Sequence, residues 1–188
     1  FLNLSISSNY WIKFFNKYSK SNTFGKHSNT NTAPVVVEYS SPNTNKPLHL
    51  GHIRNNLLGW SVAEILQNSG QEVAKVNLVN DRGIHICKSM LAWQNWGNEI
   101  TPESSNIKGD KFVGDYYVLF DKKNKEEIGS LIEGGMDKDE ASKSTSLLKE
   151  ATEMLKRWEN NDENTRELWH TMNQWVYDGF KQTYKELG

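Results

Sequence analysis

The stretch from Val35 to Leu66 restricts what this chain can become more than any other. It opens on Val35-Val36-Val37-Glu38-Tyr39, a run too uniformly apolar for a one-sided sheet edge and suited to a central parallel strand covered on both faces. Ser40 to Pro47 follows, with Pro42, Pro47 and several loop-favouring polar residues, so the strand must end there. Apolar residues then recur three or four apart at Ile53, Leu57, Leu58, Val62, Ile65 and Leu66, which predicts a helix ending at Asn68-Ser69-Gly70 with a left-handed cap.

A second strand is predicted over Val73 to Val79, closed by Asn80-Asp81-Arg82-Gly83, and a further helix from Ile84 to about Trp96 with Ile84, Cys87, Met90 and Leu91 on its stripe. Strand, helix, strand, helix is the sequence form of a right-handed βαβα unit in a parallel sheet. Such α/β sheets bind ligands beyond the carboxyl ends of their strands, so the loops Ser40–Pro47 and Asn80–Gly83 are expected to face one crevice. From Thr101 the chain turns acidic, with 18 acids against 13 bases, and mostly helical. A loop is expected over Glu103 to Asp110, and helices over Lys111 to Ile132, Lys138 to Trp158, and from Asn164 or Thr165 to the end. No strand of a second βαβ half follows, so the unit reads as the first half of a doubly wound fold.

The front of the chain differs again. Phe1 to Ile6 alternates as a half-buried strand does, Tyr10, Trp11, Phe14, Phe15 and Tyr18 keep helical spacing, and Ser19 to Thr32 reads as a polar linker. A strand at residue 1 and a short helix suggest the last piece of a domain whose body lies outside the sequence. Lys13, Lys17, Lys20 and Lys26 stand here with no acid among residues 1–33. Lys13, Lys17 and Lys20 are read as a solvated helix face in preference to an RNA-contacting arm, and any nucleic acid would meet a local patch, since the whole chain carries a net charge of −1. A lone cysteine, Cys87, cannot form an internal disulfide, which fits a reducing, cytoplasmic compartment. No stretch approaches the roughly 20 apolar residues of a membrane span.

His49-Leu50-Gly51-His52 is the most specific signal. Two imidazoles three positions apart at a helix start can reach phosphate oxygens together with backbone N–H groups and the positive helix end. Gly51 would let a flat base or ribose approach the backbone. The competing readings are a structural pair in a turn, and a metal pair that would need more ligands than His85 alone can add. Lys46 lies in a loop stiffened by prolines and offers a point charge for a polyphosphate, where the plain alternative is an exposed lysine. Ser41-Pro42-Asn43 places a hydroxyl and an amide at a strand end, although Asn43 taken alone is a turn residue. Glu38 is costly to bury unpaired and is expected to meet a cation. Asp81 and Arg82 can pair with each other.

Residues 36–52, Val-Val-Glu-Tyr-Ser-Ser-Pro-Asn-Thr-Asn-Lys-Pro-Leu-His-Leu-Gly-His, closely resemble the signature of class I arginyl-tRNA synthetases, in which Ser-Ser-Pro-Asn, a lysine and His-x-Gly-His occur in this order and spacing. The resemblance extends less specifically through Asn80-Asp81-Arg82-Gly83 and the helical remainder. It implies the first half of a class I synthetase Rossmann-like parallel sheet domain at 34–100, a remnant of an N-terminal tRNA-binding domain with its linker at 1–33, and a mostly helical acidic insertion at 101–188. It also implies ATP-dependent activation of L-arginine to arginyl-adenylate and transfer to tRNA(Arg). Ser41, Pro42, Asn43 and His52 would bind arginine; His49, Gly51, His52 and Lys46 would line the ATP site; Lys46, His49 and His52 would carry the catalysis. Magnesium would accompany ATP, and no tightly bound metal is expected. A monomeric parent, no membrane and a fragment inactive by itself complete the expectations.

Asn80-Asp81-Arg82-Gly83 departs from the Gly-Asp-Trp-Gly common in the family, which leaves Asp81, Arg82 and Gly83, with Glu38, as lesser site candidates. Ala141-Ser142-Lys143-Ser144 resembles part of the second class I signature but opens an acidic helix, so it is read as a helix N-terminus with Ser or Thr capping. The alternatives are another class I synthetase or nucleotidyltransferase, against which Ser41-Pro42-Asn43 speaks, and a non-catalytic tRNA-binding paralogue, which would not need Lys46, His49 and His52.

Overall fold

The computed structural model describes residues 1–28 and 33–188, so the end of the expected linker, 29–32, lies outside the described residues. In chain order the elements are α1 (Ser8–Tyr18), β1 (Val35–Glu38), α2 (Leu50–Asn68), β2 (Val73–Val76), α3 (Ile84–Trp96), α4 (Pro102–Ser105), α5 (Gly109–Glu133), α6 (Lys138–Ser144), α7 (Ser146–Glu159) and α8 (Glu163–Leu187). They form two units, Phe1–Tyr39 with Leu57–Val76, and Ser40–Asn56 with Asn77–Gly188.

In the first unit β1 and β2 pair in parallel, with Val35 opposite Val73 and Glu38 opposite Val76. This is the expected α/β pairing around a helical crossover. Helix and strand approach closely because Gly59 carries no side chain: a Cβ there would lie 2.4 Å from both Cβ and Cγ of Tyr39. Gly70 takes φ +90°, the left-handed helix end the sequence predicts. Coverage of β1 on both faces is not what the structure has. Val36 is 65% exposed, and β1 alternates half-buried and exposed residues, because two strands and one helix shield a single face among the described residues. Phe1 to Ile6 is exposed and forms no strand; among the described residues no strand lies beside it to supply the ladder. The helix expected around Tyr10 to Tyr18 is present as α1, started by the Ser7 hydroxyl accepting from the Tyr10 N–H.

The second unit is a helical layer. α3 packs on α5 and α7, and α5 on α8, around Cys87, Met90, Leu91, Phe112, Val113, Phe120, Met154, Met172, Val176 and Phe180. The loop expected over Glu103 to Asp110 contains α4, held by a capping box between Thr101 and Ser104. The single helix expected over Lys138 to Trp158 is two. Buried Thr145 leaves helical geometry, accepts from the Leu148 N–H and donates to Asn124 Oδ1, while the Glu127 carboxylate accepts from the Ser146 and Leu147 N–H groups. Side-chain caps from outside the helix thus outcompete its continuation. Ala141-Ser142-Lys143-Ser144 consequently ends α6 and does not open a helix as expected; the capping hydroxyl belongs to Thr145.

Gly59→Ala tests the helix–strand approach. Helix propensity alone would stabilise by up to about 1 kcal/mol, whereas overpacking costs about 1–3 kcal/mol. The blocking atoms are the root of the Tyr39 side chain, which cannot swing aside, so a net loss of stability is expected in the denaturant midpoint. An unchanged or raised midpoint contradicts the packing described.

Candidate active site

β2 stops at Val76, three residues short of the expected Val79, and Asn77 follows it. Its Oδ1 accepts from the Ser41 N–H at 2.9 Å. Parallel pairing is taken up again by a single bridge between Asn43 and Asn80, with Asn80 N–H to Pro42 O at 2.9 Å, Thr44 N–H to Asn80 O at 3.1 Å, and Asn80 Nδ2 to Asn43 Oδ1 at 3.0 Å. The loop after β1 and the loop after β2 therefore lie side by side, as the βαβα reading expects.

The first of these loops is bent by two consecutive non-glycine residues with positive φ, Ser40 at +73° and Ser41 at +46°. Each such residue costs about 1–2 kcal/mol, so the conformation needs support. Besides Asn77, support comes from α8, where the Tyr184 hydroxyl shares a hydrogen bond with Ser40 Oγ. Further on, Pro47 seats on α5: a Cβ on Gly114 would lie 2.8 Å from Pro47 Cδ. Pro42, Thr44 and Asn45 are buried, Asn43 and Lys46 half-buried, Ser41 exposed. Thr44 Oγ1 and Asn45 Oδ1, with Asn56 Oδ1 on α2, are buried atoms without a hydrogen-bond partner among the described residues. Ser89, Trp158 and Asn173 in the helical layer also carry such atoms, so these mark the loop as able to take a further polar group only together with the residues around it.

His49 and His52 face each other with ring centroids 4.0 Å apart. His52 Nδ1 accepts from the His49 N–H at 3.2 Å, and His49 Nδ1 accepts from the Gly51 N–H at 3.1 Å. With both Nδ1 atoms acting as acceptors, each neutral ring carries its proton on Nε2 and presents an N–H donor. The expectation of several free amides at this helix start needs correcting: His49 itself takes the N–H groups of Gly51 and, through its carbonyl, of His52 and Ile53. Gly51 is required for this packing as well as for ligand approach, since a Cβ there would lie 2.9 Å from His49 Cε1. Burial, then the neighbouring His49 and Lys46 charges, lower the His52 pKa below 6.5. His52 is thus a neutral donor at pH 7.

The lesser candidates are placed differently. Glu38 ends β1 in the first unit and is exposed, so the cost of burying it does not arise. Asp81 and Arg82 do not pair with each other as expected: Tyr177 donates to Asp81 Oδ2 at 2.8 Å, Trp169 Nε1 to Asp81 O at 2.6 Å, and Arg82 to Glu159 at 2.7 Å, fastening this loop to α7 and α8. Gly83, at φ +117° and ψ 179°, occupies backbone space essentially closed to other residues and starts α3. His85 bonds Tyr117 at 3.0 Å, away from a shared ligand set; among the described residues no three His, Cys, Asp or Glu gather as a metal site. Sequence reasoning missed Asn77 and Tyr184. Asn77 interrupting an apolar strand was a readable signal, whereas Tyr184 carried none.

Because the folded pKa of His52 is lowered, protonating it opposes the fold: this part of the stability is full above about pH 6.5 and is lost as pH falls through the folded midpoint. An NMR titration is expected to place the His52 midpoint below 6.5, and Lys46→Met to raise it. A midpoint above 6.5 contradicts the tautomer and burial described.

The sequence matches the model of the family "tRNA synthetases class I (R), catalytic domain" over residues 16–188. Among curated relatives, the arginine–tRNA ligases of Porphyromonas gingivalis, Parabacteroides distasonis and Flavobacterium psychrophilum are 57%, 53% and 56% identical over 189 aligned residues; each alignment takes in all of this chain and 32%, 32% and 31% of the relative. The chain therefore spans about a third of their length. Among solved structures, Thermus thermophilus arginyl-tRNA synthetase superposes with a TM-score of 0.52 at 26% identity, over 76% of this chain and 21% of that one. With the family model covering nearly all of the chain, and the signature residues of 36–52 folded into one supported loop and helix start, the chain belongs to the class I arginyl-tRNA synthetase catalytic-domain family.

Proposed function

We propose that the protein containing this chain condenses L-arginine with ATP to arginyl-adenylate and passes the arginyl group to the terminal ribose of tRNA(Arg). The observation that carries the reading is the pair of histidines at the start of α2, each with Nδ1 taken up by a local backbone N–H and Nε2 left for a ligand, beside a braced loop that holds Ser41, Asn43 and Lys46 and has Thr44 and Asn45 polar atoms unpaired among the described residues.

The arginine carboxylate attacks the α-phosphorus in line, and pyrophosphate leaves; no protein nucleophile is needed. Charge grows on phosphoryl oxygens, which neutral N–H donors and a lysine ammonium stabilise without being consumed. His49, Gly51, His52 and Lys46 serve the ATP side, magnesium arriving with ATP. Ser41, Asn43 and His52, with the Pro42 backbone, serve the arginine side. Glu38 is retained as a candidate partner for a cationic substrate group, and Asp81, Arg82 and Gly83 as supports of the crevice wall. Residues 1–33 are assigned to the end of an N-terminal tRNA-binding domain, 34–100 to the first half of the catalytic fold and 101–188 to its helical insertion. The parent is assigned to the cytoplasm as a monomer; no helix among the described residues is long and apolar enough to cross a membrane.

Arginine-dependent ATP–pyrophosphate exchange by the whole protein, with tRNA(Arg) present, is the deciding measurement. Removing one transition-state donor costs about 10²-fold or more in kcat, so His52→Ala and Lys46→Ala are each expected to lose activity on that scale while remaining folded. Exchange supported only by another amino acid, or tRNA binding without any exchange, overturns the proposal.

A further inference from the structure

We infer that Tyr184, on the last helix, is the positioning residue for the amino-acid side of the proposed site: its hydroxyl holds Ser40 and Ser41 in the left-handed bend that aims Ser41 and Asn43. The inference rests on the proposed function for the identity of the ligand, and on geometry for the rest.

Two successive serines with positive φ are unfavourable in isolation and persist only where the surroundings over-determine them. On the strand side, the Asn77 carboxamide captures the Ser41 N–H. On the other side the brace is the Ser40–Tyr184 hydrogen bond, which joins residues 144 positions apart in sequence. Ser40 is buried, so a hydroxyl deprived of Tyr184 would have to find a new partner by rotating the bend. Tyr184 in turn is held in place. Five residues before it, Gly179 lies against Asp110, where a Cβ would come within 2.6 Å of Oδ1, and the adjacent Thr183 accepts from Lys108 Nζ at 2.6 Å. The same ammonium pairs with buried Asp110 at 2.9 Å. α8 is therefore clamped to the start of α5 just where Tyr184 projects toward Ser40, and Tyr184 acts through the bend, not on the substrate.

The test uses the whole protein carrying Tyr184→Phe, Ser40→Ala, or both. One neutral hydrogen bond is worth severalfold in an equilibrium, so Tyr184→Phe is expected to raise KM for arginine about fivefold in ATP–pyrophosphate exchange, with kcat and KM for ATP within about twofold of the parent. Ser40→Ala is expected to give the same KM change, and the double variant no more than either single. An unchanged arginine KM, equal losses in every kinetic parameter, or additive effects overturn the inference. A readout independent of turnover keeps it separate from the proposed function: the Cα and Cβ chemical shifts of Ser40 and Ser41 are expected to leave left-handed values in Tyr184→Phe, and shifts that stay put overturn it even if arginine proves not to be the substrate.

Discussion

The Asp110 carboxylate, with 1% of its side chain exposed, sits where α5 begins and α8 passes closest. An isolated buried carboxylate would be strongly unfavourable. Here the Lys108 ammonium and the Lys111 N–H compensate it, and Gly109 and Gly179 remove the Cβ atoms that would hold the two helices apart. At Gly109 a Cβ would lie only 2.0 Å from the Trp175 carbonyl oxygen. The helical layer depends on this close approach. It sets Phe112 and Val113 against Met172 and Val176 in the core, and it directs the end of α8 toward the loop that follows β1.

That loop shows how little of the site's order comes from the signature residues themselves. Asn43 is occupied by Asn80, the Ser41 backbone by Asn77, Ser40 by Tyr184 and Pro47 by the surface around Gly114. The histidines are the exception, since local backbone N–H bonds organise the pair, and burial followed by the nearby His49 and Lys46 charges lowers the His52 pKa. The result is a set of donors fixed before any ligand arrives, the arrangement that stabilises developing charge most effectively.

Much of the fold could be read from the chain because it depends on short-range periodicity and punctuation. α3 runs from Ile84 to Trp96 as the apolar spacing predicts, and α2 ends at the Asn68-Ser69-Gly70 segment that predicts its end. The misreadings share one cause. The Phe1–Ile6 alternation needed a partner strand, the Val35–Val37 run needed cover on its second face, the break at Thr145 came from Asn124 and Glu127 some twenty positions upstream, and Asp81 and Arg82 found partners on α7 and α8. None of these partners is adjacent in sequence.

The sequence by itself determined the chemistry available to the site: Lys46, His49, His52, Ser41 and Asn43 at spacings that a strand, loop and helix convert into neighbours, because backbone geometry alone carries residues over so short a range. Tertiary structure alone decided that Asp81 and Arg82 are taken by α7 and α8, and that the brace on the strained Ser40–Ser41 bend comes from Tyr184. Those outcomes turn on hydrogen bonds and burial between segments up to 144 residues apart, and no local pattern encodes which distant group will arrive.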